Sequence, residues 1–167
     1  MSANRKKQTR LLCHAAIIAS LYIVFTYVAA TLGLASGAIQ LRLSEALCIL
    51  SVFTPAAVPG LTLGCLISNL ATGCLPTDIL FGTLATLLGA IGGRLLRRNP
   101  YLAPIPTVLA NTLIVPFVLA FAYRVEESLP FLFLSVGIGE VLSAYLLGVL
   151  LYLPLKKKQS QIFGNIE

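Results

Sequence analysis

Seven polar side chains stand out because apolar sequence surrounds them: Gln40, Arg42, Glu45, Asn69, Asp78, Asn111 and Glu140. Three carboxyls, three amides and one guanidinium are poor material for covalent or metal chemistry. They are good material for recognition, since carboxylates accept hydrogen bonds, guanidinium donates them and amides do both. Three acids in one neighbourhood suit a ligand with several hydrogen-bond donors, or a cation. Each residue also has a plainer use. Arg42 and Glu45 stand in an i,i+3 relation at a helix start, Asp78 stands where an N-cap is needed, and Asn69 and Asn111 suit interhelical hydrogen bonds. Glu140 is hardest to explain structurally, because an acid deep in a membrane helix costs roughly 2.5–3.5 kcal/mol on insertion scales.

The segments that must position these residues are membrane-like. The 167 residues are 57% hydrophobic and 11% charged, whereas soluble domains carry about 25% charged residues. No Lys, Arg, Asp or Glu occurs from Leu11 to Leu41, from Ala46 to Thr77, or from Asn99 to Tyr123. Such runs exceed the roughly 20 apolar residues that cross a hydrocarbon core about 30 Å thick. Turn signals at Gly33–Gly37, Pro55, Pro76, Asn99–Pro100 and Ser128–Pro130 divide them. The expected architecture is an all-α membrane protein, a bundle of six transmembrane helices at 11–34, 40–54, 57–74, 77–96, 102–123 and 129–154. Residues 1–10 and 155–167 are expected as cytoplasmic tails, with the membrane domain over 11–154. Helix 2 is the short one, since 15 residues at 1.5 Å rise make only about 22 Å.

The net charge of +6 reads as topology rather than nucleic-acid binding. With the N-terminus inside and alternating helices, Arg5, Lys6, Lys7, Arg10, Arg94, Arg97, Arg98, Lys156, Lys157 and Lys158 fall inside. Only Arg42 and Arg124 of the 12 Lys and Arg fall outside. In that frame all seven polar residues lie at or above mid-membrane on the outer side, as in a cavity opening outward.

Small residues four apart recur at Ala15/Ala19, Gly60/Gly64, Ala85/Gly89 and Gly89/Gly93. They let helix backbones approach closely, within the chain or against a membrane partner. Cys13, Cys48, Cys65 and Cys74 form no C-x-x-C pair. No G-x-x-x-x-G-K-[ST] loop exists for ATP, no Ser-His-Asp set exists, and the two halves are not visibly repeated. No cofactor and no metal is expected, and the chain does not read as an enzyme.

Arg42-Leu-Ser-Glu-Ala-Leu, Phe53-Thr-Pro-Ala-Ala-Val-Pro-Gly-Leu, Gly64-Cys-Leu-Ile-Ser-Asn-Leu and Asp78-Ile-Leu-Phe-Gly-Thr-Leu-Ala-Thr-Leu-Leu-Gly together resemble the QueT family. That family comprises the queuosine-precursor substrate-binding (S) components of energy-coupling factor (ECF) transporters. The resemblance is closest from Gln40 to Gly93 and looser through Asn111 and Gly139-Glu140. It implies a six-helix S component that captures a 7-deazaguanine from outside, with a transmembrane T component and two cytoplasmic ATPases as partners. It further implies that Ala15 and Ala19 face the T component. The loop Ala71-Thr-Gly-Cys-Leu-Pro-Thr is poorer in glycine than the family pattern. Phe53, Phe81 and Tyr145 are candidates to stack on the base. The competing expectation is a self-sufficient ion-coupled carrier with Glu140 and Asp78 as proton sites.

Overall fold

The structure, a computed structural model, describes residues 3–34 and 41–164. Gln40 falls outside them. Among the described residues every regular element is helical. Helix α1 runs Ala3–Thr31, so the basic segment expected as a tail is already helical. Helix α2 covers Leu43–Phe53, α3 Ala57–Ala71 and α4 Pro76–Leu95. Helix α5 covers Ile105–Phe117 and continues as a π turn, Val118–Ala122. Helix α6 covers Leu129–Lys157 and is wound as π over Val141–Leu147. A last turn, α7, covers Gln159–Ile162.

Among the described residues three helices are long and apolar enough to cross a membrane: Asn4–Thr31, Pro76–Leu95 and Leu129–Lys157. Helices α2, α3 and α5 are apolar but shorter. Glycines end two of the six main helices. Gly33 and Gly73 sit at φ +69° and +72°, and the next residues, Leu34 and Cys74, donate back to Ala29 and Asn69. This 6→1 bond closes a helix end that only a left-handed residue can make.

Helix α2 departs from the sequence expectation. Leu43–Ile49 is a 3₁₀ helix, followed by α over Leu50–Phe53. At about 2.0 Å rise per 3₁₀ residue, the element is about 20 Å long. It lies inside the bundle, where every residue from Ser44 to Ser51 is buried. A 3₁₀ helix has three residues per turn, so side chains at i and i+3 eclipse. Within it Glu45 and Cys48 therefore stand on one face, which an α-helix would rotate apart. The far end is capped from α4: Arg94 Nη1 donates to the carbonyls of Ser51 and Val52, each at 3.2 Å.

Close approaches set the other helices. A Cβ on Gly60 would lie 2.8 Å from the Ala15 carbonyl oxygen, and one on Gly64 would lie 2.7 Å from Tyr22 Cβ and 3.1 Å from Ala19 Cα. Residue numbers rise together along this contact, so α1 and α3 run parallel. Ala15 and Ala19 are buried here. The alanine pair packs within the chain against Gly60 and Gly64 of α3. Small-residue spacing marks a close approach without saying which helix makes it. Helix α4 turns its own glycines to α5 and α2: Cβ atoms at Gly89 and Gly93 would lie 2.6 Å from Thr107 Oγ1 and 2.6 Å from Ser51 Oγ.

The C-terminal segment is also more structured than a tail. Phe163 is buried, stacked on Phe53 at 5.1 Å and edge-on to His14 at 5.9 Å. Phe53 also stacks on Tyr152 at 5.5 Å.

Candidate functional site

Helices α2 to α6 and the residue before α2 carry six of the seven polar candidates, all but Gln40, to one end of the bundle, on two connected levels. The upper level is a cavity of about 200 Å³ lined by Tyr22, Thr26, Arg42, Ser44, Asn69 and Thr72, among others. Arg42 enters it from the residue before α2, fixed by its backbone N–H, which donates to Ser143 Oγ of α6 at 3.1 Å. Among the described residues no hydrogen bond or ion pair uses its guanidinium. The i,i+3 ion pair with Glu45 is thus not formed, although Tyr22, Asp78, Cys65 and Glu45 all lie within electrostatic reach of this cation.

Asn69 reaches the same cavity from the last turn of α3, its amide nitrogen 3.6 Å from Cys65 Sγ. Asp78 lies in the first turn of α4 and makes no capping bond. Its Oδ2 instead accepts from the Tyr123 hydroxyl at 2.9 Å, and that hydroxyl in turn accepts from the Leu75 N–H at 3.3 Å. Gly82 makes room for both side chains, since a Cβ there would lie 3.2 Å from Asn69 Nδ2 and 3.3 Å from Asp78 Oδ1.

The lower level is a buried group of Glu45 from α2, Asn111 from α5 and Glu140 from α6, exposed by only 1%, 0% and 3%. The Asn111 amide neighbours both carboxyls. Glu45 Oε1 accepts from the Tyr22 hydroxyl of α1. Among the described residues Glu140 Oε2 and both amide atoms of Asn111 have no hydrogen-bond partner. An unmade bond on a buried polar group costs about 1–3 kcal/mol, and more on a charged one. Three such atoms lie side by side here; among the described residues His14 Nδ1 and the hydroxyls of Thr83, Thr107 and Thr112 are likewise buried without a partner.

The three stacking candidates do not join this group. Phe53 is engaged with Tyr152 and Phe163 at the opposite end of α2. Phe81 lines an apolar groove of about 320 Å³ with Leu113, Phe117 and Phe121. Tyr145 is half-buried in the π segment of α6.

Sequence reasoning passed over Tyr22, Tyr123 and Ser143. The signal for Tyr22 was available: a tyrosine in the middle of an apolar span must find a partner for its hydroxyl when buried.

The chain was compared with known proteins. The profile of one family, described as QueT transporter, matches residues 12–157. The queuosine precursor transporter QueT of Lactococcus lactis subsp. cremoris (strain MG1363) is 33% identical over 84 residues, which make up 50% of this chain and 49% of that protein. The match thus spans about half the length of the curated relative. No solved structure matches.

Proposed function

The chain belongs to the QueT transporter family, and on that premise we propose that it captures a queuosine precursor, a 7-deazaguanine, as the substrate-binding membrane subunit of an ATP-driven importer. The observation that carries this reading is the unpartnered set in the lower level. Glu140 Oε2 and Asn111 Oδ1 are acceptors, and Asn111 Nδ2 is a donor. The edge of a 7-deazaguanine offers a 2-amino group and N1–H as adjacent donors, then O6 as an acceptor. The two sets are complementary, and a carboxylate meeting adjacent donors makes the stronger, charge-assisted kind of bond.

In this reading Glu140 takes the donor edge and Asn111 meets O6. The substituent at ring position 7 extends toward Arg42 and Asn69 in the upper cavity and toward Asp78, which shares the space at Gly82 with Asn69. An aminomethyl group there would be cationic and would pair with Asp78.

Topology fits the same picture. Helices α1, α3 and α5 run one way and α2, α4 and α6 the other, and the Lys and Arg count favours cytoplasmic termini in the cell membrane. In this reading the chain crosses six times, with α2 the short interior crossing, and the cavity opens outward. With no phosphate loop of its own, the subunit draws its energy from a T component and two ATPases.

Titration calorimetry of the detergent-purified protein tests this. Binding of 7-deazaguanine at least about a hundredfold tighter than 7-deazaadenine is expected, because the adenine-type edge reverses the donor order and leaves buried groups unpaired. Equal affinities would refute the base-edge reading. The competing ion-coupled carrier is tested in liposomes: uptake driven by a proton gradient in purified protein alone would favour it, and our reading expects none.

A further inference from the structure

Of the three acids gathered at this end of the bundle, two are held by a tyrosine from another helix. Tyr123 holds Asp78, and Tyr22 holds Glu45. Of the three, only Glu140 has a fully buried oxygen without a partner among the described residues. The Tyr22 contact occupies a special place, because its side chain belongs to both levels: it lines the upper cavity beside Arg42, Ser44 and Asn69, and its hydroxyl donates to an acid of the lower one. Nothing about its seat is loose. Tyr22 is 2% exposed, its Cβ fits against α3 only because residue 64 has no side chain, and its carbonyl accepts from Thr26 Oγ1 at 2.9 Å.

Resting on the base-edge reading above, we propose that Tyr22 is a positioning residue of the ligand site and the floor of its upper cavity. Its hydroxyl fixes one oxygen of Glu45, which sets the Glu45 carboxyl beside Asn111. Asn111 in turn neighbours Glu140, the acid that meets the base. The order Tyr22, Glu45, Asn111, Glu140 is a chain of neighbours running from α1 through α2 and α5 to α6. A carboxyl without this anchor is free to swing into the space beside Asn111, competing with the ligand for the amide. The geometry also gives α1 a polar link to the site. Only 11% of the most apolar stretch of α1 is buried, so most of this helix faces outward, and Tyr22 is where it touches the acids.

A double-mutant cycle tests the proposal, with 7-deazaguanine affinity measured by calorimetry on the intact chain. Tyr22→Phe keeps the ring and removes the donor. It is expected to weaken binding about tenfold, the size of one lost hydrogen bond to a charged group. In a Glu45→Gln background the same change is expected to cost less than about twofold, because the contact it serves is already altered. A ring that acted only by filling space would cost the same in both backgrounds, and that result overturns the proposal. Unchanged affinity in Tyr22→Phe overturns it equally.

Where Tyr22→Phe does not fold, 3,5-difluorotyrosine at position 22 keeps both the ring and the hydroxyl while making the phenol a stronger donor. The pH profile of binding is then expected to differ from that of the unmodified protein with Glu45 present, and to match it with Gln at that position. Identical profiles in both backgrounds contradict the proposal. The unmodified protein separates the two claims: if it binds no 7-deazaguanine, the base-edge reading fails, and if it binds but the cycle shows no coupling, only the role of Tyr22 fails.

Discussion

The Tyr123 hydroxyl donates to Asp78 Oδ2 across 2.9 Å, joining the end of α5 to the first turn of α4. The same oxygen accepts from the Leu75 N–H, so one phenol steadies both the acid and the turn that carries Thr72 and Cys74 to the cavity wall. Tyr123→Phe removes the donor and leaves Asp78, buried to 6% exposure, short of a partner. The expected result is a stability loss of about 1–3 kcal/mol and weaker ligand binding. Thermal unfolding in detergent with and without 7-deazaguanine reads both. A variant as stable and as tight as the parent would show this contact to be incidental.

Gly64→Ala tests the seat of Tyr22. The new methyl would lie 2.7 Å from Tyr22 Cβ and 3.1 Å from Ala19 Cα and the Ala19 carbonyl oxygen. Helix backbones do not yield that distance without separating, and overpacking typically costs about 1–3 kcal/mol. The unfolding midpoint should fall and ligand affinity with it. Gly73→Ala offers a contrast, because nothing lies near its Cβ position and any loss there comes from its positive φ. It should leave the Tyr22–Glu45 contact intact.

Phe163→Ala tests whether the C-terminal segment belongs to the fold. Phe163 fills a buried position against Phe53 and His14, and truncating a buried phenylalanine costs about 3–5 kcal/mol. A clear fall in unfolding midpoint is expected, with the affinity of the folded fraction preserved, since Phe53 and Phe163 stand at the opposite end of α2 from Glu45. No change in midpoint would place this segment outside the core.

Much of this arrangement was legible in the sequence, for a physical reason. Hydrocarbon makes polar residues scarce, so the few present in apolar runs had to mean something, and Arg42, Glu45, Asn69, Asp78, Asn111 and Glu140 do converge at one end of the bundle. The long helices α1, α4 and α6 were readable from the length of their apolar runs. The winding of α2 was not. Glu45 and Cys48 stand three residues apart, a spacing that becomes a common face only if the backbone tightens to 3₁₀, a choice made by burial on every side rather than by local propensity. The role of Ala15 and Ala19 was ambiguous for a different reason: small residues announce a close neighbour, and only the matching gaps at Gly60 and Gly64 identify it as α3. Tyr22 was easy to pass over because α1 carries two tyrosines, Tyr22 and Tyr27, and a tyrosine in an apolar span also suits a membrane interface.

The account stands or falls on the open oxygen of Glu140. Calorimetric titration of 7-deazaguanine into the parent protein and into Glu140→Gln measures it directly. The variant keeps the shape of the side chain but replaces an acceptor with a donor facing the donor edge of the base. Loss of one member of a buried, charge-assisted pair costs about 2–5 kcal/mol, so affinity should fall by at least about thirtyfold while the unfolding midpoint of the unliganded protein holds or rises. Equal affinity in the two proteins would contradict it.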